Sequence, residues 1–191
     1  MRIASYHPLS LSDFPPYCAA VIFTICCNLR CNYCHNKILW DENCKQINPD
    51  EVLNLLQRKK NLLDGVVITG GEPTIQKNLS SFAKKIKNMG YKIKLNTNGI
   101  NTTCLQNLIE EKLIDYIALD IKSSFDFYRE GNLENVKKSI DLIVSNKVPH
   151  EFRTVQDSKL SNNHDIDSIK NMLPKNSKRI IFPTKHSKTL Y

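Results

Sequence analysis

Cys27, Cys31 and Cys34 are separated by three and then two residues, a spacing short enough for one loop to wrap three thiolates round a single metal centre. A four-iron cluster held by only three cysteines keeps one iron without a protein ligand, so a small molecule can bind there and react. The same three thiolates could instead hold zinc, with Cys44 or His35 as a fourth ligand. His35 is adjacent to Cys34 and badly placed to share its metal, whereas Cys44 is feasible. Cys26 also precedes the motif, and starting from it would open a four-residue gap to Cys31. Cys18, Cys44 and Cys104 have no partner at metal-ligand spacing and read as buried or incidental thiols.

Three further segments carry polar chemistry. In Thr69-Gly70-Gly71-Glu72-Pro73 the two glycines let backbone approach a ligand closely, and Glu72 can accept hydrogen bonds from an ammonium group. Alone this is an ordinary strand-to-helix turn. Asn96-Thr97-Asn98-Gly99 by itself also reads as a turn. Asp120-Ile121-Lys122 puts opposite charges on one side of a strand, which in isolation is an ion pair.

These residues need elements to position them, and the chain supplies a regular alternation. Ala19 to Ile25 reads as a buried strand that delivers the cysteine loop at its C-terminal end. Asn48-Pro49-Asp50-Glu51 gives an N-cap residue, a proline at the first helical position and a Glu three residues after the cap, followed by the apolar face Val52, Leu53, Leu55 and Leu56. Strands are then predicted at 66–69, 91–95, 116–119, 148–155 and 179–182. Helical spacing fills the intervals, with Leu79, Phe82, Ala83, Ile86 and Met89 before Gly90, then 103–112, then Leu133, Val136, Ile140 and Ile143, then Ile166, Ile169, Met172 and Leu173. Six strands separated by five helical patterns argue for an α/β fold with a parallel sheet and helical crossovers. In such sheets the site lies at the C-terminal strand ends, where the cysteines and all three polar segments fall.

Cys27-Asn28-Leu29-Arg30-Cys31-Asn32-Tyr33-Cys34 resembles the motif of the radical S-adenosylmethionine superfamily, including the aromatic residue before the last cysteine. The resemblance implies a partial (β/α)6 barrel over residues 1–191 as one domain, and a [4Fe–4S] cluster on Cys27, Cys31 and Cys34. It further implies that the open iron is chelated by the amino and carboxylate groups of S-adenosylmethionine, which an electron from the cluster cleaves to methionine and a 5′-deoxyadenosyl radical. Members usually have glycine where this chain has Cys26. By the same resemblance Gly70, Gly71 and Glu72 hold the cofactor's amino group, and Tyr33 and His35 beside Cys34 lie at the cofactor. Asn96 and Asn98 match a segment near it, which in the glycyl-radical-enzyme activases often begins with an Asp that helps hold a monovalent cation. Asp120 and Lys122 match their Asp-x-Lys segment, and Arg153 resembles an arginine they direct at the cofactor carboxylate.

Ser10 to Pro16, with Tyr33-Cys34-His35-Asn36, resembles most closely the small activases of anaerobic ribonucleoside-triphosphate reductase. The implied reaction is abstraction of a hydrogen from a glycine Cα of that partner, with an electron donor such as flavodoxin or ferredoxin. A small-molecule enzyme such as 7-carboxy-7-deazaguanine synthase is equally compact and stays open, as does a zinc-binding module.

At 191 residues the chain fits one core and one site. The first residues have no apolar core of a signal peptide, and the longest apolar run, 19–25, is broken by Thr24 and too short to span a bilayer. Seven cysteines, an odd number with three packed together, make a poor disulfide framework and point to a reducing compartment, so a soluble, cytoplasmic protein is expected. The net charge of +8 is spread over many lysines, including Lys84, Lys85 and Lys87, which reads as a solvated surface rather than a nucleic-acid face.

Overall fold

Among the described residues, seven strands form a single sheet whose spatial order is the order of the chain: β1 (Ile3–Ser10), β2 (Ala19–Thr24), β3 (Gly65–Gly70), β4 (Lys92–Thr97), β5 (Tyr116–Asp120), β6 (His150–Gln156) and β7 (Arg179–Pro183). The computed structural model describes residues 1–122, 128, 131–156, 163–175 and 177–183. Strands β2 to β7 are parallel, as predicted. The addition is β1, which pairs antiparallel with β2. Its sequence hides it: only Ile3 and Ser10 are buried, so no apolar alternation marks the strand, and Pro8 is tolerated because β1 is an edge.

Among the described residues five helices cross between the parallel strands: α1 (Pro49–Arg58), α2 (Leu79–Asn88), α3 (Thr102–Glu110), α4 (Asn132–Ser145) and α5 (Asn163–Met172). Local chemistry sets their ends. Asn48 Oδ1 accepts the Asp50 N–H at 3.0 Å at the head of α1, with Pro49 in the first turn. Gly90, at φ +90°, takes the left-handed conformation just past α2.

All five helices pack on one face of the sheet. Val52 and Leu56, Phe82 and Ile86, Leu105 and Leu108, Val136 and Ile140, and Ile169 share one apolar cluster with Ile22, Ile68, Leu95, Leu119 and Phe152. Sequential strand order with helices on a single face curls a sheet towards a barrel, whereas a doubly wound sheet has helices on both. The strand residues between those, Val21, Val67, Lys94, Tyr116 and Glu151, therefore face a lumen. Phe14, from the β1–β2 connection, packs there on Ala19, Val21 and Val67 at the N-terminal strand ends. Lys94 and Glu151 pair inside it at 3.1 Å with side chains 6 % and 7 % exposed. Among the described residues no helix is long and apolar enough to cross a membrane.

Candidate active site

The cysteine loop leaves β2 through Cys26, a non-glycine residue at φ +66°. Glycine adopts that conformation without steric cost, which accounts for the residue type the related motif favours there. Three backbone bonds stitch this turn to its neighbours. The Cys26 N–H donates to Leu39 O at 2.6 Å, the Glu72 N–H donates to Cys26 O at 2.7 Å, and the Gly71 N–H donates to Thr24 O at 2.8 Å. A Cβ on Gly71 would overlap the Cys26 carbonyl, so the second glycine is set by how closely the two loops approach. The Cys26 thiol accepts a hydrogen bond from Arg2 Nη2 at 3.0 Å and packs in a small cluster with Ile25 and Leu39, against which Cys44 also rests.

Cys27, Cys31 and Cys34, by contrast, line a cavity of about 200 Å³ at the C-terminal strand ends. Tyr33, His35, Gly70, Gly71, Glu72, Asn96, Asn98, Asp120 and Lys122 line it too, so the segments that the sequence set apart converge. Cys26, Cys44 and Arg153 are not among the lining residues. Burial pushes the Cys27 thiol up to about 11, with the Glu72 charge adding to it and a hydrogen bond from the Leu29 N–H opposing, and burial raises Cys31 as well.

Glu72 is 2 % exposed and caps the short 3-10 turn Pro73–Ile75. Its Oε1 accepts from the Thr74 N–H at 3.0 Å and from the hydroxyls of Thr74 and Thr97 at 2.6 Å each, while Oε2 accepts from the Asn98 N–H at 2.8 Å. Burial raises its pKa against the pull of those four donors. Oε1 is saturated, and Oε2 keeps room for a further donor.

Asp120 ends β5 with Arg153 Nε on its Oδ1 at 2.7 Å and Lys122 Nζ 3.8 Å from its Oδ2. Burial opposes its ionisation, but the two cations outweigh burial and hold it below the usual carboxylate range. Burial likewise works against the charge on Lys122, and the charge of Asp120 leads the contributions that outweigh it and raise its pKa.

Several residues of the site carry no sequence signal of their own. Thr69, Thr97 and Trp40 line the cavity, and Asn28 ties the cysteine loop to Asn98 through a 2.7 Å hydrogen bond. Thr74 follows Glu72 by two residues, the offset of a capping contact. Strand alternation is the signal that would have put Thr69 on the lumen side with Val67.

The residues fit a cluster with an open iron and an ammonium-bearing ligand beside it. Three thiols of one loop face one cavity, and Asn96 Oδ1, buried in its wall, has no hydrogen-bond partner among the described residues. Its amide nitrogen donates to Thr69 Oγ1 at 3.2 Å, which leaves the oxygen waiting for a donor.

Comparison with known proteins bears on the same residues. The family model described as the radical SAM superfamily matches residues 21–157. A Methanocaldococcus jannaschii protein whose name places it among glycyl-radical enzyme activating enzymes is 37 % identical over 171 residues, 84 % of this chain and 70 % of that one. The pyruvate formate-lyase-activating enzyme of Clostridium pasteurianum is 33 % identical over 127 residues, 63 % of this chain and 52 % of that enzyme, so the chain accounts for about half of that relative. The structure of Streptococcus suis SuiB bound to S-adenosylmethionine superposes with a TM-score of 0.65 at 19 % identity, covering 88 % of this chain and 41 % of SuiB, a likeness of fold. The cofactors of this family are a [4Fe–4S] cluster and S-adenosylmethionine. With its motif, its barrel and its cavity in agreement, the chain belongs to the radical SAM superfamily of enzymes.

Proposed function

We propose that this protein is a glycyl-radical-enzyme activating enzyme and that its partner is anaerobic ribonucleoside-triphosphate reductase. The observation that carries the reading is the convergence of Cys27, Cys31 and Cys34 with Glu72, Asn96, Asp120 and Lys122 on one cavity. Cys27, Cys31 and Cys34 would hold the cluster, which when bound would supply the electron for reductive cleavage of S-adenosylmethionine, the chemistry that would lead to hydrogen abstraction from a glycine Cα of the partner.

The chain's own residues bind and orient. Cys27, Cys31 and Cys34 ligate the cluster. Glu72 Oε2, with room for one more donor, accepts from the cofactor's ammonium, and Gly70 and Gly71 let backbone come close beside it. Asp120 and Lys122, which Asp120 helps keep charged, stand at the cofactor, and Arg153, bonded to Asp120, is directed at the cofactor carboxylate. Tyr33, His35, Asn96 and Asn98 complete the wall. The run Ser10 to Pro16 and His35-Asn36 after the last cysteine favour the reductase as partner. An electron donor of the flavodoxin or ferredoxin class and a cytoplasmic setting complete the reading, and the charge of +8 suits an acidic partner.

The test is anaerobic reconstitution with iron and sulfide, then dithionite reduction with S-adenosylmethionine, following deoxyadenosine by chromatography and the glycyl signal by paramagnetic resonance after adding the reductase. Deoxyadenosine with a glycyl radical is the expected result. Deoxyadenosine without it would remove the reductase as partner.

A further inference from the structure

Asn28 lies inside the cysteine motif, immediately after Cys27, and its Oδ1 accepts a 2.7 Å hydrogen bond from Asn98 Nδ2, 70 residues away in sequence. Asn98 is 4 % exposed, and each of its other hydrogen bonds is to a fixed group. Its backbone N–H donates to Glu72 Oε2 at 2.8 Å, and its Oδ1 accepts the Ile100 N–H at 3.1 Å. A backbone N–H can only donate, so the Ile100 contact sets which way the Asn98 amide points. Nδ2 must then face Asn28, and Asn28 must present oxygen.

The resulting chain runs from Asn28 through Asn98 to Glu72. It joins the loop that carries the cysteines to the carboxylate that faces the cavity. The backbone bonds of Cys26 hold the root of that loop, before the first ligand. The Asn28 bond instead holds the stretch between Cys27 and Cys31, from the β4 side of the cavity. The pair is part-buried, with Asn98 enclosed and Asn28 exposed, and breaking it releases the stretch between Cys27 and Cys31 from the β4 side of the cavity.

We propose that Asn28 and Asn98 form a latch that keeps the cysteine loop in register with Glu72, so that the cluster and the site for the cofactor's ammonium stand at the separation S-adenosylmethionine requires. This rests on the functional reading above and deepens it. Both are positioning residues here. The latch acts on cofactor affinity, because the cofactor must reach the open iron and Glu72 at once, whereas the cysteines alone suffice to hold the cluster.

The experiment uses the full chain, reconstituted anaerobically, with three readouts: iron per chain, the cluster's visible absorption, and a titration with S-adenosylmethionine followed by the change it causes in the paramagnetic resonance of the reduced cluster. Asn28→Ala is expected to keep the iron and absorption of the parent and to bind S-adenosylmethionine about fivefold more weakly, the loss of one part-buried hydrogen bond. Asn28→Asp, which retains an acceptor for Asn98, is expected to recover most of that affinity. In an Asn98→Ala background, adding Asn28→Ala is expected to change affinity no further. Parent-like affinity in Asn28→Ala would overturn the latch, and so would loss of iron in step with loss of affinity, which would make the bond a device for cluster retention. A parent that carries a full cluster but shows no response to S-adenosylmethionine would overturn the functional reading itself, and is distinguished from failure of the latch because no variant is needed to see it.

Discussion

Arg153 reaches from β6 to Asp120 at the end of β5, Nε to Oδ1 at 2.7 Å, between two residues that the strand register already places side by side. The guanidinium thus serves a carboxylate that lines the cavity without lining it itself. Together with Lys122 it depresses the pKa of Asp120 against the opposing effect of burial. A group with a depressed folded-state pKa contributes stability that is complete above its unfolded value, near 3.9, and is lost as pH falls through the folded value. Arg153→Met should therefore raise the Asp120 pKa and bring acid unfolding on at higher pH. Circular dichroism between neutral and strongly acidic pH reads the shift. It should vanish when Asp120→Asn is already present, and a shift that persists there would assign it to Glu151, 3.9 Å from the same guanidinium.

The pair of Lys94 and Glu151 predicts a large and asymmetric response. Glu151 also accepts from the Tyr116 hydroxyl at 3.2 Å and pairs with Lys178 at 3.2 Å, so its removal strands several groups. The buried Lys94 ammonium suffers most, since burial already lowers its pKa and Glu151 is the main group opposing that shift. Glu151→Ala should cost about 3–5 kcal/mol in urea unfolding, the usual penalty for orphaning a buried charge. Replacing both partners, Lys94→Met with Glu151→Met, should recover most of the loss. A double variant no more stable than Glu151→Ala would locate the loss in Tyr116 and Lys178 instead.

That pair also marks where the sequence stops being legible. Lys92-Ile93-Lys94-Leu95 alternates like a strand with one wet face, and the apolar half of the pattern does pack on the helices. The other face is not solvent but lumen, because the sheet curls, and curvature is a property of the whole sheet rather than of any one strand. The parallel strands and all five crossovers were readable, since each pairs a β-period run with a helical run between turn residues. β1 was not, because an edge strand with two buried residues has no period to read. At the site the chemistry-bearing residues were readable from type and spacing. Asn28, Thr69 and Thr97 were not, because each acts through a partner that only folding brings near.

Two glycines with positive or crowded backbone separate conformational from steric demands. Gly90 has φ +90° and open space where a Cβ would stand, so Gly90→Ala should cost only about 1 kcal/mol, the strain of a left-handed alanine. At Gly71 a Cβ would run into the Cys26 carbonyl, a backbone atom that three hydrogen bonds around it keep in place. Gly71→Ala must push the Gly-Gly-Glu and cysteine loops apart. Thermal unfolding should show the larger loss at Gly71, together with weakened iron binding on reconstitution, whereas Gly90→Ala should load iron like the parent. Equal losses would mean that the two loops can separate at little cost.

The adjacent thiols of Cys26 and Cys27 give the sharpest test of which cysteines hold the cluster. Their side chains diverge: Cys26 is 6 % exposed, bonded to Arg2 and packed on Ile25 and Leu39, while Cys27 lines the cavity with Cys31 and Cys34. The left-handed backbone at Cys26 is what turns its side chain away from its neighbour's. Cys31→Ala and Cys27→Ala should each abolish the iron content and visible absorption of the reconstituted protein. Cys26→Ala should keep both, at a modest cost in stability from the lost sulfur contact with Arg2, and Cys26→Gly should recover part of that cost by relieving the backbone. Should Cys26→Ala lose the cluster while Cys27→Ala retains it, the first ligand would be Cys26, and the loop would have to turn over from the arrangement seen here to bring that thiol into the cavity.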